Sequence, residues 1–284
     1  MPNNMKNNIE TLPSLAETVR EHGLGANKRL GQHFLLDMNL TDKIARLAEP
    51  LQGHHIAEIG PGPGGLTRAL LLRGADKVLA LEMDERFMPA LAEIGDLADG
   101  RLEIIRGDAM RVNIAKAMPA PRKIVANLPY NVGTKMLINW ISAKPIFWSQ
   151  MVLMFQKEVA QRVVAVPGES AYGRLAILCQ STAACHMAFD VPARAFTPPP
   201  RVDSAVVVLE PLAQPFEDLK TLGELTAAAF GQRRKMLRGS LKPVAKKYDV
   251  VLEDWLGGCG IDPQARPETL PPAKFQALVI ALKA

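Results

Sequence analysis

His55-Ile56-Ala57-Glu58-Ile59-Gly60-Pro61-Gly62-Pro63-Gly64-Gly65 decides the fold of this 284-residue chain. The run from His55 to Ile59 predicts a short buried strand. Behind the glycines, Leu66, Ala69, Leu70 and Leu72 recur at helical spacing. Strand, glycine-rich turn and helix open a nucleotide-binding βαβ unit, because residues without a Cβ let backbone N–H groups approach a ligand. The spacing here is Glu58-x-Gly60-x-Gly62-x-Gly64, unlike the G-x-G-x-x-G of dinucleotide folds. Taken alone, the loop reads equally as a tight turn or as a pyridine-nucleotide site.

Three further strands extend the pattern. Lys77-Val78-Leu79-Ala80-Leu81 ends in Glu82, about twenty residues beyond the glycines, where an acid meets ribose hydroxyls in doubly wound sheets. Leu102-Glu103-Ile104-Ile105 leads to Gly107-Asp108-Ala109, and an acid there can accept from an adenine amino group. Lys123-Ile124-Val125-Ala126 delivers Asn127-Leu128-Pro129-Tyr130. Ligands of such sheets bind at the carboxyl ends of the strands, which is where all four features fall.

The last tetrapeptide suits chemistry at an exocyclic amine. Such a nitrogen is a poor nucleophile, since its lone pair is delocalised into the ring. Acceptors that draw it toward a tetrahedral geometry free that lone pair. Asn127 offers a side-chain carbonyl, and Pro129 biases Leu128 toward an extended conformation that directs its backbone carbonyl as a second acceptor. Tyr130 supplies a face for a flat base. The competing reading is an Asn-x-Pro turn after a strand. Four strand-end features in order favour an amine methyltransferase, because a pyridine-nucleotide dehydrogenase needs no amine acceptors.

Eight segments occur in register: K-R-L-G-Q-H-F-L at 28–35, E-I-G-P-G-P-G-G at 58–65, N-L-P-Y-N at 127–131, Q-K-E-V-A-Q-R at 156–162, A-Y-G-R-L at 171–175, A-F-T-P-P-P-R-V-D-S-A-V at 195–206, Q-R-R-K-M-L-R at 232–238 and G-I-D-P at 260–263. Through them the chain resembles, from Lys28 to Leu278, the bacterial small-subunit rRNA adenine dimethyltransferases, whose loss confers kasugamycin resistance. The resemblance implies S-adenosyl-L-methionine as methyl donor and no metal. It implies dimethylation of two adjacent adenosines in a hairpin loop near the 3' end of 16S rRNA, within the 30S subunit and late in its biogenesis, by a cytoplasmic monomer.

Carried over residue by residue, the family's cofactor contacts fall on His33, Leu35, Gly60, Gly62, Glu82, Asp108 and Asn127. His33 stands where the commonest form of the family has Asn. Asn127, Leu128, Pro129 and Tyr130 fall on the reaction motif. Phe196 matches an aromatic that clamps the target base, against the plainer reading of a core aromatic ahead of Pro198-Pro199-Pro200. Three rivals stand beside this reading: a 23S rRNA adenine methylase of the macrolide-resistance type, a DNA adenine methylase, disfavoured because no target-recognition insertion appears, and a ribosome-assembly factor with methylation secondary. The Q-R-R-K-M-L-R and G-I-D-P segments argue against the first.

Composition agrees with an anionic partner, since Lys and Arg number 34 against 29 Asp and Glu, a net charge of +5 and a pI near 9.1. Arg233, Arg234, Lys235, Arg238, Lys242, Lys246 and Lys247 crowd together, as a basic helix that is either a solvated face or a phosphate-binding one. Of these, Arg233, Arg234, Lys235 and Arg238, together with Lys28 and Arg29, are the candidate RNA contacts. The cysteines Cys179, Cys185 and Cys259 have no metal-ligand spacing and read as free thiols. No signal-peptide core or membrane-length apolar run is present.

Met1 to Glu10 is Asn-rich and expected to be unstructured, and Ser14-Leu15-Ala16-Glu17 reads as a capping box opening a helix that stops near Gly23. The expected organisation is an N-terminal extension with a short helix over 1–27, a Rossmann-like α/β methyltransferase domain with a seven-stranded, mostly parallel sheet over 28–210, and a small all-α RNA-binding domain over 211–284.

Overall fold

The computed structural model describes residues 8–26, 32–232 and 235–283. Its strands are β1 (Phe34–Leu35), β2 (His55–Ile59), β3 (Lys77–Glu82), β4 (Leu102–Arg106), β5 (Arg122–Asn127), β6 (Gln150–Gln156), β7 (Ala183–Val191), β8 (Phe196–Thr197) and β9 (Ser204–Pro211). Seven of them form one sheet in the order β4-β3-β2-β5-β6-β9-β7, and β1 pairs with β8 in a separate antiparallel ribbon. The pairs from β4 through β6 are parallel, and β9 runs antiparallel to β6. The expected seven-stranded, mostly parallel sheet is the one found.

Burial explains the residue choice in each strand. Residues of β2, β5, β6 and β9 are buried along nearly their whole length, so these strands read as continuous apolar runs rather than alternations. β4 and β7 are the edges of the sheet, and there exposed and half-buried positions dominate. Strand order reverses between β2 and β5, since β2 continues to β3 on one side and β5 lies on the other. That reversal opens a crevice at the carboxyl ends of β2 and β5.

The chain divides into two compact units that interleave in sequence. The first takes the described residues of Met1–Met136 with Phe147–Ala160 and Met187–Leu209, and the second takes Leu137–Ile146, Gln161–His186 and Glu210–Ala284. In the second unit, Phe230 lies between Tyr172 and Phe275, with ring centroids 6.3 and 5.9 Å away. The Tyr172 hydroxyl donates to the Leu270 carbonyl and the Trp255 indole to that of Leu278. Beyond Pro211 the regular elements among the described residues are all helical.

Three sequence expectations need correction. Residues 8–10 are not unstructured: Ile9–Thr11 forms a helical turn, and Ile9 is buried in the core of the first unit because it is the one large apolar side chain of that stretch. β9 runs through Pro211, two residues past the expected strand end. The basic segment is not one helix but two short ones, Leu237–Ser240 and Lys242–Lys247, with Pro243 in the first turn of the second. Proline has no N–H to continue an earlier helix but suits the start of a new one. The capping box is present as read, with Ser14 and Glu17 bonded reciprocally ahead of the helix Leu15–Glu21.

Candidate active site

Within the first unit, a cavity of about 590 Å³ opens at the strand-order reversal. His33, Leu35, Gly60, Gly62, Glu82, Asp108 and the whole of Asn127-Leu128-Pro129-Tyr130 line it. The structure therefore brings together four strand-end features that lie far apart in the chain.

The glycine loop is shaped by backbone that side chains resist. Gly60, Gly62 and Gly64 all have positive φ, and Gly64 is the most constrained. A Cβ there would lie 2.2 Å from Ile94 Cδ1, at φ +87°. Gly64 also caps the helix Gly65–Leu72, whose first turn carries Thr67 and Arg68. The Thr67 hydroxyl donates to Glu58 at 2.6 Å, and Arg68 donates to the Pro13 carbonyl at 2.6 Å and to the Thr18 hydroxyl at 3.0 Å. Glu58 is fully buried, and desolvation pushes its pKa up to about 8; the Thr67 hydrogen bond opposes this and the charge of Glu82 adds to it. A neutral carboxyl thus lies beneath the loop at pH 7.

Glu82 ends β3 facing the cavity and is 6% exposed. One carboxylate oxygen accepts from the N–H groups of Met83 and Asp84, both at 2.8 Å, and the other from that of Gly62 at 3.1 Å. Burial raises its pKa despite these three donors. The bonds orient the carboxylate and leave lone pairs for hydroxyls of a ligand. Asp84 accepts from Gln32 and from Arg86, and the Arg86 guanidinium holds its carboxyl down at about 2. Asp108 accepts from the Met110 N–H at 2.8 Å and has Arg111 at 3.7 Å. A glycine cradle, an oriented acid and a second acid beyond it fit an adenosine-bearing donor.

Asn127 closes β5. Its amide nitrogen donates to the His33 carbonyl at 3.4 Å, and its Oδ1 accepts no hydrogen bond among the described residues. The Pro129 carbonyl accepts from the N–H groups of Val132 and Gly133, turning the chain into the helix Gly133–Ile141. His33 Nδ1 lies 2.7 Å from the Pro198 carbonyl. A carbonyl can only accept, so Nδ1 carries the proton. The imidazole stacks on Tyr130, centroids 5.7 Å apart at 27°.

Phe196 does not line this cavity. It is 3% exposed, pairs with Leu35 between β8 and β1, and presents an edge to His33. Lys235 and Arg238 are exposed in the second unit, whereas Lys28, Arg29, Arg233 and Arg234 lie outside the described residues. Sequence reasoning did not assign Gln32, Thr67, Asp84, Met83 or Ser204 to the site. Gln32 and Asp84 sit one or two residues from motif positions, and that adjacency is a usable signal. Ser204 falls inside the 195–206 segment, but nothing in the chain points to its partner Tyr130, 74 positions away.

Comparison with known proteins agrees with this geometry. The ribosomal RNA adenine dimethylase family matches residues 23–281. The chain is 51% identical over 280 residues to ribosomal RNA small subunit methyltransferase A of Maricaulis maris, covering 97% of each. It is 53% identical over 273 residues to the protein of that name from Cereibacter sphaeroides, covering 95% of this chain and 97% of the other. Among solved structures, a dimethyladenosine transferase from Plasmodium falciparum superposes with a TM-score of 0.74 at 28% identity, covering 87% of this chain and 96% of that one. The 23S rRNA methyltransferase ErmE, at 24% identity and a TM-score of 0.65, covers 88% and 100% and shares the fold. The match over residues 23–281 and the identity to these relatives, with the sheet order and the cavity lined by Asn127, show that the protein belongs to the ribosomal RNA adenine dimethylase family.

Proposed function

We propose that this rRNA adenine dimethyltransferase uses S-adenosyl-L-methionine to methylate the exocyclic amines of two adjacent adenosines in a hairpin loop near the 3' end of 16S rRNA. The substrate is the small ribosomal subunit late in its assembly. The orientation of Asn127 carries the reading. With its amide nitrogen engaged by the His33 carbonyl, Oδ1 is left without a partner among the described residues, and an acceptor is what an incoming amine requires. The names of the relatives from Maricaulis and Cereibacter support the small-subunit target.

The donor supplies a methyl group on a sulfonium, which transfers by direct displacement. The residues of this chain hold and orient. Glu82 would accept from the ribose hydroxyls and Asp108 from the adenine amino group of the donor, and the glycine loop would bring its own N–H groups close to it. Asn127 Oδ1 and the Leu128 carbonyl accept from the target amine and favour its tetrahedral form in the transition state. No strong general base is required, since the amine proton leaves to water once positive charge has developed. After one methylation a single N–H remains, and the neutral acceptor Asn127 accommodates it without a charge to desolvate.

The test is mass analysis of rRNA after incubation of the purified protein and donor with small ribosomal subunits from cells lacking this modification. Two neighbouring dimethyladenosines near the 3' end of 16S rRNA are expected. Modification of 23S rRNA instead, or none, defeats the reading.

A further inference from the structure

The ring of Tyr130 is held at its hydroxyl as well as on its face. Tyr130 follows β5, yet its Oη shares a 2.6 Å hydrogen bond with Oγ of Ser204, the first residue of β9. In the sheet β6 lies between those two strands. Ser204 pairs with Gln156, the last residue of β6, while Asn127 pairs with Met154. The Tyr130 side chain therefore reaches across the carboxyl end of β6 to a strand that runs the opposite way.

The anchor it finds is fixed. Ser204 is fully buried. Just before it, the Asp203 carbonyl accepts from the Lys157 N–H at 2.9 Å and the Asp203 side chain from the Ala193 N–H at 2.8 Å. His33 packs on the ring of Tyr130 and is itself tied to the Pro198 carbonyl. Burial of the Tyr130 hydroxyl raises its pKa, so it remains a neutral partner.

The geometry points to Ser204 as a positioning residue for methyl transfer: through its hydrogen bond to Tyr130 it fixes the plane on which the target base stacks. The inference rests on the proposed adenine substrate. A stacking face free to rotate about χ1 lets the base tilt, and a small tilt moves the amine off the line of displacement. Ser204 touches neither donor nor base, so its influence passes entirely through Tyr130. Removal of the bond should lower turnover and leave the donor pocket as it was.

The test compares Ser204→Ala, Tyr130→Phe and the double variant, all in the full chain, with labelled S-adenosylmethionine and unmodified small subunits. Each single variant is expected to lose about tenfold in kcat, through misalignment of the amine rather than through the energy of the bond itself. Donor affinity should stay at its wild-type value, and the thermal midpoint should fall only by the small amount that one lost buried hydrogen bond costs. The double variant should be no slower than the slower single one, because both changes delete one bond. Full turnover by either single variant overturns the inference, as does a loss confined to donor affinity or multiplicative losses in the double variant. Should Ser204→Ala not fold, Tyr130→Phe with wild-type kcat still overturns it. Failure of the proposed substrate shows separately, as wild-type protein that labels no small-subunit adenine.

Discussion

Asn127 is engaged at one end of its amide and has no partner at the other among the described residues, and the proposed function has that free oxygen act on the amine mainly in the transition state. Asn127→Ala is expected to retain affinity for ribosomal subunits and lose most methyl transfer, checked by labelled-donor turnover beside subunit binding. Robust turnover would mean that another acceptor orients the amine. Glu82→Ala, which removes charged acceptors from hydroxyls and from three N–H groups, should weaken donor binding by about 1–3 kcal/mol in calorimetry. Unchanged affinity in a folded variant removes Glu82 from the site. Glu58 makes a pH prediction. Its folded pKa of about 8 stands above its ordinary 4.5, so the fold favours the protonated form. That contribution is complete below pH 4.5 and declines as pH rises toward 8, because the unfolded chain ionises first. Glu58→Gln keeps an acceptor for Thr67 and cannot ionise. Its melting temperature should gain on wild type between pH 5 and 8 and match it more closely at pH 5; parallel curves would show that Glu58 does not titrate in this window.

The glycine turn and the elements around it were legible in very different degrees. β2 spans the very residues the apolar run marked, and β3, β4 and β5 extend their expected cores by a residue at one or both ends. Apolar runs bounded by glycine or charge determine such buried strands locally. What supports the turn from behind was not legible. Arg68 reaches Pro13 and Thr18 across fifty or more positions, and a Cβ on Gly65 would meet Leu15 at 2.7 Å. Both depend on how the helix Leu15–Glu21 packs, and a capping box reports only that the helix starts. Gly64→Ala should lower stability by roughly 1–3 kcal/mol, read from the urea midpoint, since it adds positive-φ strain to a clash with buried Ile94. An unshifted midpoint would mean the loop has another conformation open to it.

For the molecule as a whole, charge was visible in the sequence but its display was not. Lys242, Lys246 and Lys247 fall on a second short helix that has Pro243 in its first turn, and Lys247 forms an ion pair with Glu224. Neutralising Lys235 and Arg238 together should leave donor affinity unchanged and lower the log–log salt slope of subunit binding by about one unit for each phosphate that the protein no longer neutralises. An unaltered slope would place the RNA elsewhere. The site itself was readable where motifs end strands, and unreadable where side chains meet across the sheet, as at Tyr130 and Ser204.

That β9 sits between β6 and β7, although it follows both in the chain, sets a timetable for synthesis. A ribosome making this protein releases the glycine turn, Glu82, Asp108 and Asn127 well before residue 204. Until β9 emerges, the edge of β6 it will cover stays unpaired and Tyr130 has no Ser204 to reach. The glycine turn and the ends of β3 to β5 are thus made before the strand that pairs with β6, and that pairing is a long-range one of the kind that slows folding.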